Sequence, residues 1–276
     1  MDSLIGYVHG YSEREARRLG DQADTLAELL HAGTAYPVGS RVLEAGCGVG
    51  AQTVHLVANS PGARWVALDR SAESLATARA RVAAVAPAAE VRWCHADVYE
   101  LPFRDAEFDH VFVCFLLEHL SNRERALVEL RRVLRPGGTL TVIEGDHGTA
   151  FFHPDSPYAR AVIDCQARLQ EVAGGDAHTG RAVGPLLRGA GFGDVSVEVR
   201  TVYADAARPD LRGDFVLDTF AAMVGGVREQ ALEAGLMTPA DWDRGMADLR
   251  RAAGGDGTFH YAFFKGVGVR PALEVA

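Results

Sequence analysis

Cysteine is scarce in this sequence, with four residues, Cys47, Cys94, Cys114 and Cys165, scattered through 276 positions. None is paired with another at metal-ligand spacing, so no zinc, iron–sulfur or other metal site is expected. Isolated thiols beside apolar segments read as buried, free cysteines of a reducing compartment. No apolar run is long enough to span a bilayer, and Tyr7 to Gly20 lacks the charged-then-apolar pattern of a leader; the expectation is a cytoplasmic protein with no membrane partner. A basic stripe is missing too. Acidic residues outnumber Lys plus Arg by 37 to 28, for a net charge of −9, and the Arg-rich stretches at 14–18 and 123–135 are interleaved with Glu. A protein that neutralises phosphates needs the opposite balance, so nucleic acid is not an expected partner and a small-molecule ligand is.

What the sequence does have is an ordinary globular composition, 48% hydrophobic and 24% charged, with no internal repeat. Residues 1–276 read as a single domain. Ser12 to about Ala32 has helical periodicity, with a Ser12–Glu15 capping box at its start and Gly33 and Pro37 beyond its end, giving an N-terminal helical cap over 1–36. Short apolar strands at 41–44, 64–69, 91–95, 108–115 and 139–144 then alternate with helices at 52–59, 72–86 and 123–134. Strands that are continuously apolar and alternate with helices predict a doubly wound, mainly parallel sheet, with ligands at the carboxyl ends of its strands. The segment 40–145 is the expected ligand-binding core. Beyond it, 145–155 reads as irregular. Helices are expected at 158–172, 181–191, 215–225, 229–234 and 240–253, a strand at 195–203, and a last antiparallel strand at 259–269. The stretch 146–258 is expected to form a partly inserted lid on the acceptor side.

Glycines 46, 48 and 50 follow the first strand and open a helix, so the backbone turns tightly there and lets a ligand approach closely. The glycines alone fit two cofactor classes. Gly46-x-Gly48-x-x-Ala51, with Asp69 23 residues beyond Gly46, also satisfies the dinucleotide fingerprint, which leaves an NAD(P)-dependent oxidoreductase open. The surrounding sequence is more particular. Val42-Leu43-Glu44-Ala45-Gly46-Cys47-Gly48-Val49-Gly50 resembles the first motif of the class I S-adenosylmethionine-dependent methyltransferases, and an acid ahead of the glycines suits an ammonium and a sulfonium better than a pyrophosphate. Leu68-Asp69-Arg70-Ser71 and Ala96-Asp97-Val98 resemble the second and third motifs. Phe115-Leu116-Leu117-Glu118-His119-Leu120 and the run from Leu130 to Leu140 resemble the segments after the fourth strand and before the fifth.

The resemblance, which is to small-molecule enzymes of bacterial natural-product type, implies a Rossmann-like methyltransferase fold with a seven-stranded sheet. It also implies S-adenosyl-L-methionine as cofactor and a small-molecule methyl acceptor, expected to be an aromatic or apolar intermediate of secondary metabolism, with carbon or nitrogen somewhat favoured over oxygen. Cofactor contacts are expected from Tyr11, Glu44, Gly46, Gly48, Gln52, Asp69, Arg70, Asp97, the Val98 amide and Phe115. Tyr7, Phe151, Tyr203 and Phe220 are expected to line the acceptor pocket. Because the cofactor brings the leaving group, the protein supplies alignment and, where needed, a base. His147 and His119 are the candidates, with Asp146 or Glu144 placed to orient His147. A catalytically silent cofactor-binding module is the remaining alternative, and a homo-oligomer is possible through the N-terminal helix.

Overall fold

The computed structural model describes residues 13–272, with side chains from Arg18 onward. The Ser12 cap, Tyr7 and Tyr11 therefore lie outside the described residues. Among the described residues the strands are β1 (Arg41–Ala45), β2 (Arg64–Asp69), β3 (Val91–His95), β4 (Phe108–Cys114), β5 (Leu134–His153), β6 (Gly193–Ala204) and β7 (Thr258–Val269). They form one seven-stranded sheet in the order β3-β2-β1-β4-β5-β7-β6. The first five run parallel, and β7 enters antiparallel between β5 and β6. The order reverses between β1 and β4, which places a crevice at the carboxyl ends of these two strands.

Both faces of the sheet are covered because its central strands are apolar on both sides. Leu43, Val111, Val113, Leu140 and Val142 pack under α4 (Arg123–Val133) and α6 (Thr179–Gly189). Their neighbours Val42, Phe112 and Ile143 belong to the opposite core, with α1 (Glu13–His31), α2 (Thr53–Asn59) and α5 (Pro157–Val172). The remaining early helix, α3 (Ala72–Val85), starts at a Ser71 side chain that accepts the Ser74 amide. Free thiols behave as expected: Cys47, Cys114 and Cys165 are buried, and burial pushes all three up from their ordinary pKa, so they stay protonated.

The sequence reading of 145–155 as irregular is corrected. β5 continues to His153, because β7 supplies an antiparallel partner from Thr139↔Val269 to His153↔Thr258, with a register shift between Asp146 and Phe151. The glycines that suggested a loop serve close packing instead. A Cβ on Gly145 would meet the Tyr261 hydroxyl, and one on Gly148 the Arg181 guanidinium. The helices between β6 and β7 form the inserted part. Leu211–Ala221 starts earlier than expected and is wound as a π-helix, packing on α1; α7 (Ala222–Gly225), α8 (Arg228–Glu233) and α9 (Pro239–Arg251) follow. The carboxyl end of α1 is held by two cations. Arg200 donates to the carbonyls of Leu29, Leu30 and Ala32, and Lys265, the chain's single lysine, donates to Ala32 and Thr34. No helix among the described residues is long and apolar enough to cross a membrane.

Candidate active site

The glycine loop leaves β1 with its backbone in the left-handed region at Gly46, Gly48 and Gly50 (φ 76°, 51° and 75°). The amides of Gly46 and Cys47 both donate to the Leu68 carbonyl, at 2.8 and 3.0 Å, tying the loop to β2. Asp69, at the end of β2, accepts the Gly48 amide on one oxygen and the Ser71 amide on the other, both at 2.8 Å. A carboxylate has about four lone-pair sites, so two remain to accept hydrogen bonds from a ligand. Gly50 is the most constrained of the three, since a Cβ there would lie 2.9 Å from the Ala78 Cα of α3. Gly50→Ala is expected to cost about 2–3 kcal/mol, the positive φ adding to the clash, and thermal denaturation of the apo protein measures it.

Glu44 and Asp97 occupy different environments. Glu44 is buried, takes the Thr53 hydroxyl at 2.7 Å, and has no cationic partner among the described residues; burial pushes its carboxyl up to about 8. A buried acid lacking a cation suits a ligand that brings an ammonium. Asp97 is exposed after β3 and accepts the Tyr99 amide at 2.9 Å, while Val98 beside it is buried. Arg70 is exposed, and its carbonyl meets His95. Gln52 has its Oε1 2.6 Å from His31 Nε2 on α1. In the structure its bond is to the N-terminal helix.

Past β4 the chain makes a tight turn. Phe115 holds a left-handed backbone (φ 53°), rare for a bulky residue, and donates to the Ile143 carbonyl at 2.9 Å. Glu144 of β5 supports this turn by accepting the Leu116 and Leu117 amides, at 3.1 and 2.7 Å. The Leu116 side chain in turn covers Gly46, where a Cβ would meet it at 2.9 Å. Glu118 follows in a single 3-10 turn, and His119 Nε2 stands 3.5 Å from its carboxylate.

His147 is buried beside Phe220, with ring centroids 5.8 Å apart. Its Nδ1 is 2.7 Å from the Tyr261 hydroxyl, a pair joined across 114 residues. Neither carboxylate expected to orient it does so. Asp146 is taken by Arg181, at 2.5 and 2.8 Å, and Glu144 by the turn amides. Burial pushes the His147 imidazole down to about 4, so it is neutral near pH 7, and it keeps Tyr261 well above the ordinary phenol range. The Tyr261 hydroxyl is thus the hydrogen-bond partner of a neutral imidazole at Nδ1.

The aromatic assignments divide. Phe220 packs with Phe215, Phe259 and Tyr261 in one buried cluster on the His147 side of the sheet. Phe151 and Tyr203 both pair with His260 in the ladder and so share its face, opposite to Phe259 and Tyr261. They are 52% and 50% exposed, and Phe151 stacks on His260 at 4.1 Å. Glu118, Tyr261 and Gln170 had no functional role in the sequence reading, and Glu144 had only that of orienting His147. The only local signal was the acid before His119; the others become neighbours through strand order alone.

Comparison with known proteins assigns the family. Residues 43–142 match the family model described as "Methyltransferase domain". The chain is 29% identical over 236 residues to an O-methyltransferase of Penicillium expansum, covering 84% of this chain and 79% of that protein. It is 41% identical over 104 residues to a demethylmenaquinone methyltransferase of Thermus thermophilus, covering 38% of this chain and less than half, 46%, of the relative. A crystal structure titled as a methyltransferase of Bacillus halodurans shares the fold, with a TM-score of 0.59 at 17% identity, covering 90% of this chain and 99% of that one. The glycine loop at β1, the carboxylates ending β1 and β2, and these matches agree on S-adenosylmethionine rather than a dinucleotide, and the chain belongs to the class I S-adenosylmethionine-dependent methyltransferases.

Proposed function

We propose that the chain methylates a small, mostly apolar acceptor, aromatic or quinone-like, that carries one hydrogen-bonding atom. The observation that carries this reading is the buried His147 imidazole, held at Nδ1 by the Tyr261 hydroxyl and packed on Phe220, itself against Phe215 and Phe259. Apolar walls with one placed polar group select a ligand of that kind. Two of the relatives, named for demethylmenaquinone and for ubiquinone/menaquinone biosynthesis, support a planar apolar acceptor. In this reading Tyr7 and Tyr11 close over the bound ligands, Asp69 takes the ribose, Asp97 and Val98 the adenine, and His119 lines the pocket.

The test incubates the chain with S-adenosylmethionine and a panel of hydroxy-aromatic, quinone and indole acceptors, and reads the gain of one methyl by mass spectrometry. Methylation of none of them, with S-adenosylmethionine bound normally, would sink the acceptor class and favour a silent binding module. On the acceptor found, His147→Phe keeps the ring packing and removes the polar ring nitrogens. Turnover is expected to fall by roughly 100-fold with cofactor affinity within about threefold, and unchanged turnover would remove His147 from the site.

A further inference from the structure

Among the described residues β6 closes one side of the sheet and bonds only to β7, in an unbroken antiparallel ladder from Ser196↔Val267 to Ala204↔Phe259. Its outer edge therefore presents a row of backbone amides and carbonyls that no described strand receives. Sheet edges are usually blunted by bulges, prolines, lysines or short length. Here the register shift and the left-handed Asp194 touch only the start, between Gly193 and Ser196. The run from Val195 to Tyr203 then holds neither proline nor lysine, and four of its nine residues are valine, a strong strand former. Ser196, Val197, Glu198 and Val199 are exposed in succession, so the strand is open on both faces there. Val199 is 57% exposed and shares its face with Tyr203.

We propose that a second copy of this chain pairs with that edge, β6 against β6, joining two seven-stranded sheets into one of fourteen. Strands related by a two-fold axis perpendicular to the sheet run antiparallel, and residues directly opposite lie on the same face. Side chains alternate along a strand, so the axis must pass through a residue rather than between two. Charge then selects which one. With the axis at Val199, Glu198 stands opposite the partner's Arg200, and Arg200 opposite the partner's Glu198. Moving the axis one residue either way sets Glu198, or Arg200, against its own copy, and like charges directly opposite oppose pairing. Two residues toward the start, the pairing runs into the irregular Asp194; two toward the end, both charges meet apolar Ala204 and Val202. The Val199 register also lays Tyr203 across from the partner's Val195, an aromatic and β-branched pair of the kind that stabilises a ladder. Glu198 is ready for this role. Its carboxylate is 68% exposed and holds its own Arg200 through one oxygen, at 2.6 Å, which leaves the other for the partner's Arg200. Arg200 is meanwhile held by the carbonyls of Leu29, Leu30 and Ala32, so its charge is fixed in place beside the seam.

Sedimentation of the full chain across a micromolar concentration series is expected to show a dimer. Glu198→Arg places cations on both sides of the seam and should weaken that dimer by about 100-fold or more, with the melting curve showing a folded variant. Cross-linking reads the register. A short thiol-specific linker should join Val199→Cys to its own copy, and mass spectrometry should find residue 199 on both sides of the link. Val197→Cys alone should stay unlinked, because its two copies stand roughly 13 Å apart along the seam, four residues at the rise of a strand. Mixed with Thr201→Cys it should link. Cys47, Cys114 and Cys165 are buried, and the original protein treated in the same way gives the background. A monomer at every concentration overturns the proposal, whether the edge then stands free or receives some other strand. A dimer that Glu198→Arg leaves intact and that links at none of these β6 positions overturns it too, since its interface lies elsewhere. Should Glu198→Arg fail to fold, the links at 199 and between 197 and 201 decide, and their absence rejects the pairing.

Discussion

S-adenosylhomocysteine affinity is expected to rise about tenfold per pH unit between roughly pH 6 and pH 8, then level off, with Glu44 setting the bend. The reason is the cost of a buried charge. Burial pushes Glu44 up to about 8, with the Thr53 hydroxyl the main influence favouring its ionised form, so the free protein holds this acid protonated near neutrality. A ligand ammonium is best received by the ionised form, and below pH 8 binding must therefore expel a proton. Glu44→Gln should flatten the pH dependence and weaken binding at pH 8 by about 30-fold, near the 2 kcal/mol of one charge-assisted hydrogen bond. Calorimetry across the pH range reads both, and a parallel slope in the variant would remove Glu44 from ligand binding. The apo protein should show the opposite trend. A carboxyl whose folded pKa is raised lends its full stability below the unfolded value of about 4.5 and loses it as pH climbs to about 8. Ligand and proton thus compete for one buried carboxylate.

The parts of this molecule that sequence made legible are those with local causes. The glycine loop, the acids ending β1 and β2, and the alternation of strand and helix through β5 all follow from residues within a few positions of one another. The extension of β5 does not. Gly145 and Gly148 look like a loop until β7, more than a hundred residues later, lays Tyr261 and its ladder against them. The acceptor side was harder for the same reason. Tyr261 reaches His147, Gln170 reaches Glu118, and Arg181 reaches Asp146, each through topology that no local pattern encodes. Phe151 and Tyr203 show the same limit from the other side. An aromatic-rich stretch tells how much ring surface exists, but the face each ring takes is set by register, and here one pairing puts both on the side away from His147.

Arg181→Met is expected to cost about 3–5 kcal/mol, whereas Asp146→Asn should cost about 1–2 kcal/mol, although each removes the same ion pair. The asymmetry follows from burial. Asp146 is wholly inaccessible, while the Arg181 side chain is 56% exposed. Without Arg181, a buried carboxylate keeps only the Gly148 amide, at 2.9 Å, and has no water to replace the lost cation. Without the Asp146 charge, the guanidinium turns to solvent at little cost, and the asparagine carbonyl can still take the Gly148 amide. The double variant should therefore be more stable than Arg181→Met alone, since the second change removes the very charge the first one stranded. Chemical denaturation of the four proteins closes the cycle, and a double variant no better than Arg181→Met would refute this account of the pair. The same variants test the link to the site. Asp146 and Gly148 flank His147, whose amide is tied to the Ala177 carbonyl at 2.9 Å ahead of α6, the helix that carries Arg181. Losing Arg181 should free that turn and blunt turnover even at temperatures where the variant stays folded, because the Tyr261–His147 bond depends on the segment between them staying in place.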